Sequence, residues 1–275
     1  MRPSILKSLK PDIIVEMLEI AFLFENWDKL LNTSDILYSY AQCIYEERQF
    51  FKAKRLPVPH VNMARPLVYY YGFSHLMRGI ACQKQGQYNR AREYIDKYAE
   101  LGWMEDLGEE GMQIVEEFRF LARANGYALD ILSGKTERLA EYVVFLKNNP
   151  EELLPGLDTI LQAALRHGLS VDDLLDTFAE QAAEFGEYED AGNVSHYYSY
   201  CHHLALYHKQ AGRQDKALKY AMQALILAHQ SGNDRNFKKC MALFESLREG
   251  ADEEQIRQYE ERLRGCLLEV HQQLV

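Results

Sequence analysis

His196, Cys201, His202, His203 and His208 fall within thirteen residues, and these side chains can bind metal or carry protons. Zinc held by one helix needs ligands three or four residues apart, and none of the His–His pairs has that spacing. In the helical frame developed below, Cys201 takes an inward packing slot. The cluster is therefore expected to pack or to line a groove, and no metal or cofactor is expected.

Other chemistry lacks its sequence signs. The chain has no G-x-x-x-x-G-K-[ST], G-x-S-x-G or H-E-x-x-H run and no glycine-rich dinucleotide loop, so neither a phosphate cradle nor a common nucleophile setting is indicated. The acidic pairs Glu109–Glu110 and Glu116–Glu117 are expected on solvated faces. The expectation is a protein that is not an enzyme.

Tyrosine is the more informative residue. There are 18, gathered at Tyr69–Tyr71 and at Tyr197, Tyr198 and Tyr200. A phenol ring packs like a hydrocarbon while its hydroxyl reaches a partner, and it loses little entropy when fixed. Most are expected in the core, and a minority along a binding groove.

The elements that must position these groups are helices. From Tyr197 to Gly232 the pattern is of two antiparallel helices hinged at Gly212. Leu204, Ala205, Ala217, Ala221 and Ala224 occupy the small and apolar slots of a helix–turn–helix repeat of about 34 residues. Small residues let two helices approach, and the turn needs a residue that tolerates positive φ. Ala64–Gly102 repeats the pattern, with Gly79 and Ala91 in small slots and Gly86 at the turn.

A first helix is expected from Pro11 with Ile14, Leu18, Ala21 and Phe22 inward, then one long helix ending before Pro57. A looser pair covers about Met112–Leu132 and Leu139–Leu146. One helix starts at Asn149–Pro150 and ends near His167. Another, capped by Ser170 and Asp173, runs to about Phe185. Two last helices are expected at roughly Asp234–Arg248 and Asp252–Leu274, the final one being a polar cap. The fold class is all-α: a right-handed superhelical solenoid of tetratricopeptide-like helix pairs, spanning residues 11–275 after a lead-in of residues 1–10.

Composition agrees. Seven prolines and 16 glycines in 275 residues suit long helices with short turns. A net charge of −10 disfavours direct contact with nucleic acid or anionic lipid, and Lys52, Lys54 and Arg55 are read as a solvated helix end. Five scattered cysteines, never in a C-x-x-C pair, suit buried thiols in a reducing cytoplasm. No run has the length of a membrane span, and the first residues lack the apolar core of a signal peptide.

In such a superhelix the first helix of each pair faces the hollow. Tyr69 and Phe73 lie there in one repeat, and Ser199, His202 and Lys209 in another. Arg119, Arg123 and Asn125 lie on the corresponding helix between them, and Asn193 and Asn125 carry amides suited to pairing with a peptide backbone. These nine residues are the candidate peptide-binding set.

The run RPLVYYYGFSHLMRGIACQKQGQYNRAREYIDKYAELGWM, followed by FLKNNPEELLPGLDTIL, resembles the repeat region of the Rap, NprR and PlcR group of regulators from Gram-positive bacteria. The resemblance implies a sensor that binds a short secreted peptide and thereby switches DNA binding or another output. Its asparagine clamp is carried over to Asn125 and Asn193. Members that bind DNA have a helix-turn-helix domain ahead of the repeats, which Met1–Lys10 cannot supply. The chain is thus expected to be a sensor piece of a longer regulator or a standalone repeat protein. The alternatives are a scaffold for a folded protein partner and, less directly, an aid to dephosphorylation of a response regulator. Homodimerisation through Ile256, Leu263, Leu267 and Leu268 competes with packing of that face onto the preceding pair.

Overall fold

The structure is a computed structural model, and it describes residues 10–187 and 191–272. Among the described residues it contains thirteen α-helices and no strand, so the chain is all-helical as its composition implies. It divides into two compact units, one ending at Ser133 and the other starting at Gly134.

The first unit comprises α1 (Pro11–Leu23), α2 (Trp27–Ala53), α3 (Leu67–Lys84), α4 (Tyr88–Ala99) and α5 (Gly108–Leu132). Each helix packs on the next, and α3 also touches α1 and α5. The inward residues expected for α1 are buried at Ile14, Leu18 and Ala21, and α2 is one helix ending four residues before Pro57. Its core joins Leu18, Leu37, Ile44, Val68, Ile95, Leu101, Val115 and Leu129. Burying a side chain of this size stabilises by roughly 1.5–3 kcal/mol.

Polar ties at the edge of that core fix the helix ends. Tyr70 is fully buried, its hydroxyl donates to Asp12 Oδ1 at 2.5 Å and accepts from the Arg65 amide at 3.1 Å. It therefore anchors both α1 and the irregular link before α3. Asn125 donates to the buried Tyr98 hydroxyl at 3.0 Å, and Arg92 pairs with the buried Asp130, so α4 is tied twice to α5.

The second unit comprises α6 (Leu139–Asn148), α7 (Leu153–His167), α8 (Asp172–Thr177), α9 (Ala179–Glu184), α10 (Ala191–Gln210), α11 (Gln214–Gln230), α12 (Asp234–Glu245) and α13 (Glu253–Gln272). Here α10 packs between α7 and α11, and α11 also packs on α12. Asp252 caps α13 as its sequence suggests. Its Oδ1 accepts from the Gln255 amide at 2.8 Å while Gln255 Oε1 accepts from the Asp252 amide at 3.1 Å, a reciprocal capping box. The expected boundary at Leu274 lies outside the described residues.

One expected helix is broken. The segment predicted to run from Ser170 to Phe185 forms α8 and α9, which part at Phe178, and no side chain caps α8. Phe178 is buried and leaves the helical range with ψ at 12°, while the Thr177 hydroxyl turns back to the Asp173 carbonyl at 2.7 Å. Such back-bonding competes with the regular ladder and bends helices.

The links between helices repeat one device. After α3, α10 and α11 the chain turns in three residues with the middle glycine left-handed: Gly86 at φ 74°, Gly212 at 70° and Gly232 at 63°. At Gly212 its amide bonds the Lys209 carbonyl at 3.0 Å and the Arg213 amide bonds the His208 carbonyl at 2.9 Å. This is the Schellman closure, which satisfies the last carbonyls of a helix. Glu25 and Arg55 make the same turn after α1 and α2 with φ of 50° and 55°, without glycine.

Candidate functional site

A cleft with a volume of about 530 Å³ lies in the second unit, between α8 and α9 on one side and α10 and α11 on the other. That is within the range of roughly 300–1,000 Å³ of sites that enclose small ligands. Tyr197, Tyr200, Leu204 and His208 face it from α10 at helical spacing. Arg213, Lys216, Lys219 and Tyr220 face it from α11 and the turn before it, and Asp172 and Asp176 from α8.

The mouth of the cleft near α8 is held by a network. Arg213 Nη1 meets Asp172 Oδ1 at 2.7 Å, the Tyr207 hydroxyl donates to the same oxygen at 3.1 Å, and the Val171 amide donates to that hydroxyl at 3.0 Å. The Arg213 guanidinium holds the Asp172 carboxyl below the usual carboxylate range. A charge-assisted pair of this kind fixes position more than it adds stability, because both partners remain partly exposed.

The aromatic wall is packed. Tyr197 and Tyr200 stack at 6.4 Å with Phe185 edge-on to both. His208 stacks on Tyr220 at 5.7 Å and is 5% exposed. Its Nδ1 is buried and has no hydrogen-bond partner among the described residues, and burial lowers its pKa to about 4, so at neutral pH the ring is uncharged.

On another part of α10, the buried Asp158 of α7 accepts from Ser199 Oγ at 2.9 Å and pairs with His203 Nδ1 at 2.7 Å, with Gln162 donating to it at 2.8 Å. A serine, a histidine and an aspartate in contact invite comparison with a nucleophile relay. A relay needs the serine on the imidazole nitrogen opposite the aspartate, whereas here serine and Nδ1 both converge on the carboxylate. The cluster cross-links α7 and α10.

The nine residues singled out from sequence divide between the units. In the first, Phe73 is buried and stacks on the half-buried Tyr69 at 5.3 Å, with Arg65 over the Tyr69 ring at 4.2 Å. Asn125 serves Tyr98, Arg119 chelates Glu100 at 2.6–3.0 Å and meets Glu116, and Arg123 lies 5.9 Å from the Phe120 ring. In the second, Ser199 serves Asp158, His202 stacks on Tyr198 at 6.0 Å, Lys209 donates to Ser246 at 2.7 Å, and Asn193 is half-buried near the start of α10.

The cleft faces a different part of α10 and draws on α11, which the sequence frame did not direct towards a ligand. Its available signal was the spacing of Arg213, Lys216 and Lys219 by threes in an acidic chain. In the first unit the sequence also gives no sign of His75, 2% exposed, whose ring contacts Tyr38, Tyr71 and Tyr94 at 5.0–6.0 Å while neither nitrogen has a partner among the described residues. Beside it Arg78 is buried, paired with Asp35 at 2.6 Å and lying over Tyr38 at 4.5 Å.

Among the described residues no group of three or more His, Cys, Asp or Glu could hold a metal ion, and no helix is long and apolar enough to cross a membrane. No protein-family model, curated protein or solved structure matches the chain.

Proposed function

We propose that this chain is a non-enzymatic sensor built from tetratricopeptide-like helix pairs, similar to the Rap, NprR and PlcR group, which binds a short peptide and passes the change to a partner. The observation that carries the reading is the tyrosine-walled cleft between α8–α9 and α10–α11. Aromatic walls give contact area and the polar groups at its rim give orientation, the combination used to hold extended peptides. The recurrent three-residue glycine turns, and the contacts of α3 with both α1 and α5, support pairs stacked in series. Ligand binding shifts such a fold only by its difference in affinity between two arrangements.

Calorimetric titration of short synthetic peptides tests this. Binding that Tyr220→Ala weakens by about 10-fold or more is the expected outcome, a loss of about 1.4 kcal/mol. A chain that binds no peptide is not such a sensor.

The second reading, a scaffold for a folded partner, is favoured by one surface. Ile13, Met17 and Ile20 on one stripe of α1, and Phe24 just after its end, are 41–63% exposed, with Glu16 and Glu19 exposed beside them. A helix of apolar face and basic flanks fits that stripe. Competition by short peptides for such a partner would return the function to peptide sensing.

A further inference from the structure

The groups left uncommitted in the second unit's cleft are mostly donors. Lys216 and Lys219 leave α11 one turn apart, and neither makes an ion pair among the described residues. Lys219 Nζ lies 5.5 Å from the Tyr220 ring. The hydroxyls of Tyr200 and Tyr220 make no hydrogen bond among the described residues, and burial raises both phenols so that they keep their protons and can donate. Arg213 is taken by Asp172, which leaves Asp176, on the opposite lip, as the uncommitted acid. Two cations thus face one anion in a protein whose net charge is −10.

We propose that this cleft takes the C-terminal end of a short peptide, its terminal carboxylate seated against Lys216 and Lys219 with the Tyr200 and Tyr220 hydroxyls donating to it. Asp176 then accepts from a backbone amide or the ammonium further along the ligand. A carboxylate is the peptide group that offers only acceptors, and charge-assisted bonds to it are the stronger kind. The inference rests on the peptide reading above and adds a charge and a direction to it.

Calorimetry on the full chain decides it, with a panel of mixed-sequence pentapeptides, each prepared with a free and an amidated C-terminus. The expected result is that binders lose about 10-fold or more on amidation, and that the Lys216→Gln, Lys219→Gln double variant binds the free acids no better than the amides. Lys238→Gln, an exposed change on α12 outside the cleft, leaves affinity unchanged. Both cleft lysines are exposed, so the double variant keeps its circular dichroism spectrum. Equal affinity of free and amidated forms, or affinity untouched by the double variant, overturns the carboxylate assignment and leaves the peptide reading standing. No binding by any peptide at millimolar concentration overturns both.

Discussion

His75 occupies an unfavourable position for an ionisable ring. Its two nitrogens are buried amid three tyrosines without a partner among the described residues, and burial lowers its pKa to about 3. The unfolded chain takes up a proton near pH 6.5, whereas the folded chain does so only near pH 3. Stability from this site is therefore complete above about pH 6.5 and falls by up to ~1.4 kcal/mol per pH unit as the solution is acidified towards the folded pKa. His208 adds the same slope down to about pH 4. His75→Phe keeps the ring contacts and removes the unpaired nitrogens, so it should raise stability by ~1–3 kcal/mol and flatten urea midpoints measured between pH 6.5 and 4. A variant less stable than the parent would show that these nitrogens are needed in the fold.

Asp158 is the opposite case, a buried carboxylate whose partners Ser199, His203 and Gln162 reach it at 2.7–2.9 Å. Asp158→Ala removes the acceptor that joins α7 to α10 and strands its donors. Denaturant unfolding should show a loss of about 3 kcal/mol, the usual consequence of breaking a buried polar set.

At the scale of elements the repeated turn separates backbone cost from packing cost. A Cβ at Gly212 would meet nothing within 4 Å, so Gly212→Ala pays only for the left-handed φ, ~1–2 kcal/mol of stability. Arg55 is exposed at the same conformation without glycine, so Arg55→Gly should be neutral or stabilising by up to ~1 kcal/mol in thermal melts. Gly72 differs from both, because its added Cβ would fall 2.4–2.7 Å from the Phe118 ring where α3 meets α5. Gly72→Ala should cost ~1–3 kcal/mol through overpacking.

These particulars explain what was legible in the sequence. Gly86 and Gly212 are visible as turns because glycine advertises positive φ, and the long helix to Ala53 is visible because Pro57 must follow it. Glu25 and Arg55 make the same turn invisibly, since nothing in a glutamate or arginine announces it. Gly72 is hidden because its reason is a ring 46 residues away. The break at Phe178 is hidden because burial of that ring overrides a helical run. The cleft is hidden for a related reason, being made by three separate segments whose meeting no periodicity records.

Over the whole molecule the main hydrophobic cluster of the first unit runs from Ile14 to Leu129, with the buried Ile131 and Leu132 near the unit's end standing outside it. A fragment ending at Ser133 should be helical and melt cooperatively by circular dichroism, as a domain with an independent core does. A fragment without a transition would show that its core is incomplete.

The placement of the indoles has a practical result. The chain has two tryptophans: Trp27 sits against Phe22 at 6.1 Å, and Trp103 against Tyr45 and Tyr71 at about 5.4–5.5 Å, all in the first unit. Excitation at the red edge of the absorption band therefore reads that unit alone, and the cleft with its tyrosines stays dark. A quencher or dye pair meant to follow occupancy there has to be introduced on α11 or α8, while native emission reports on the first unit separately.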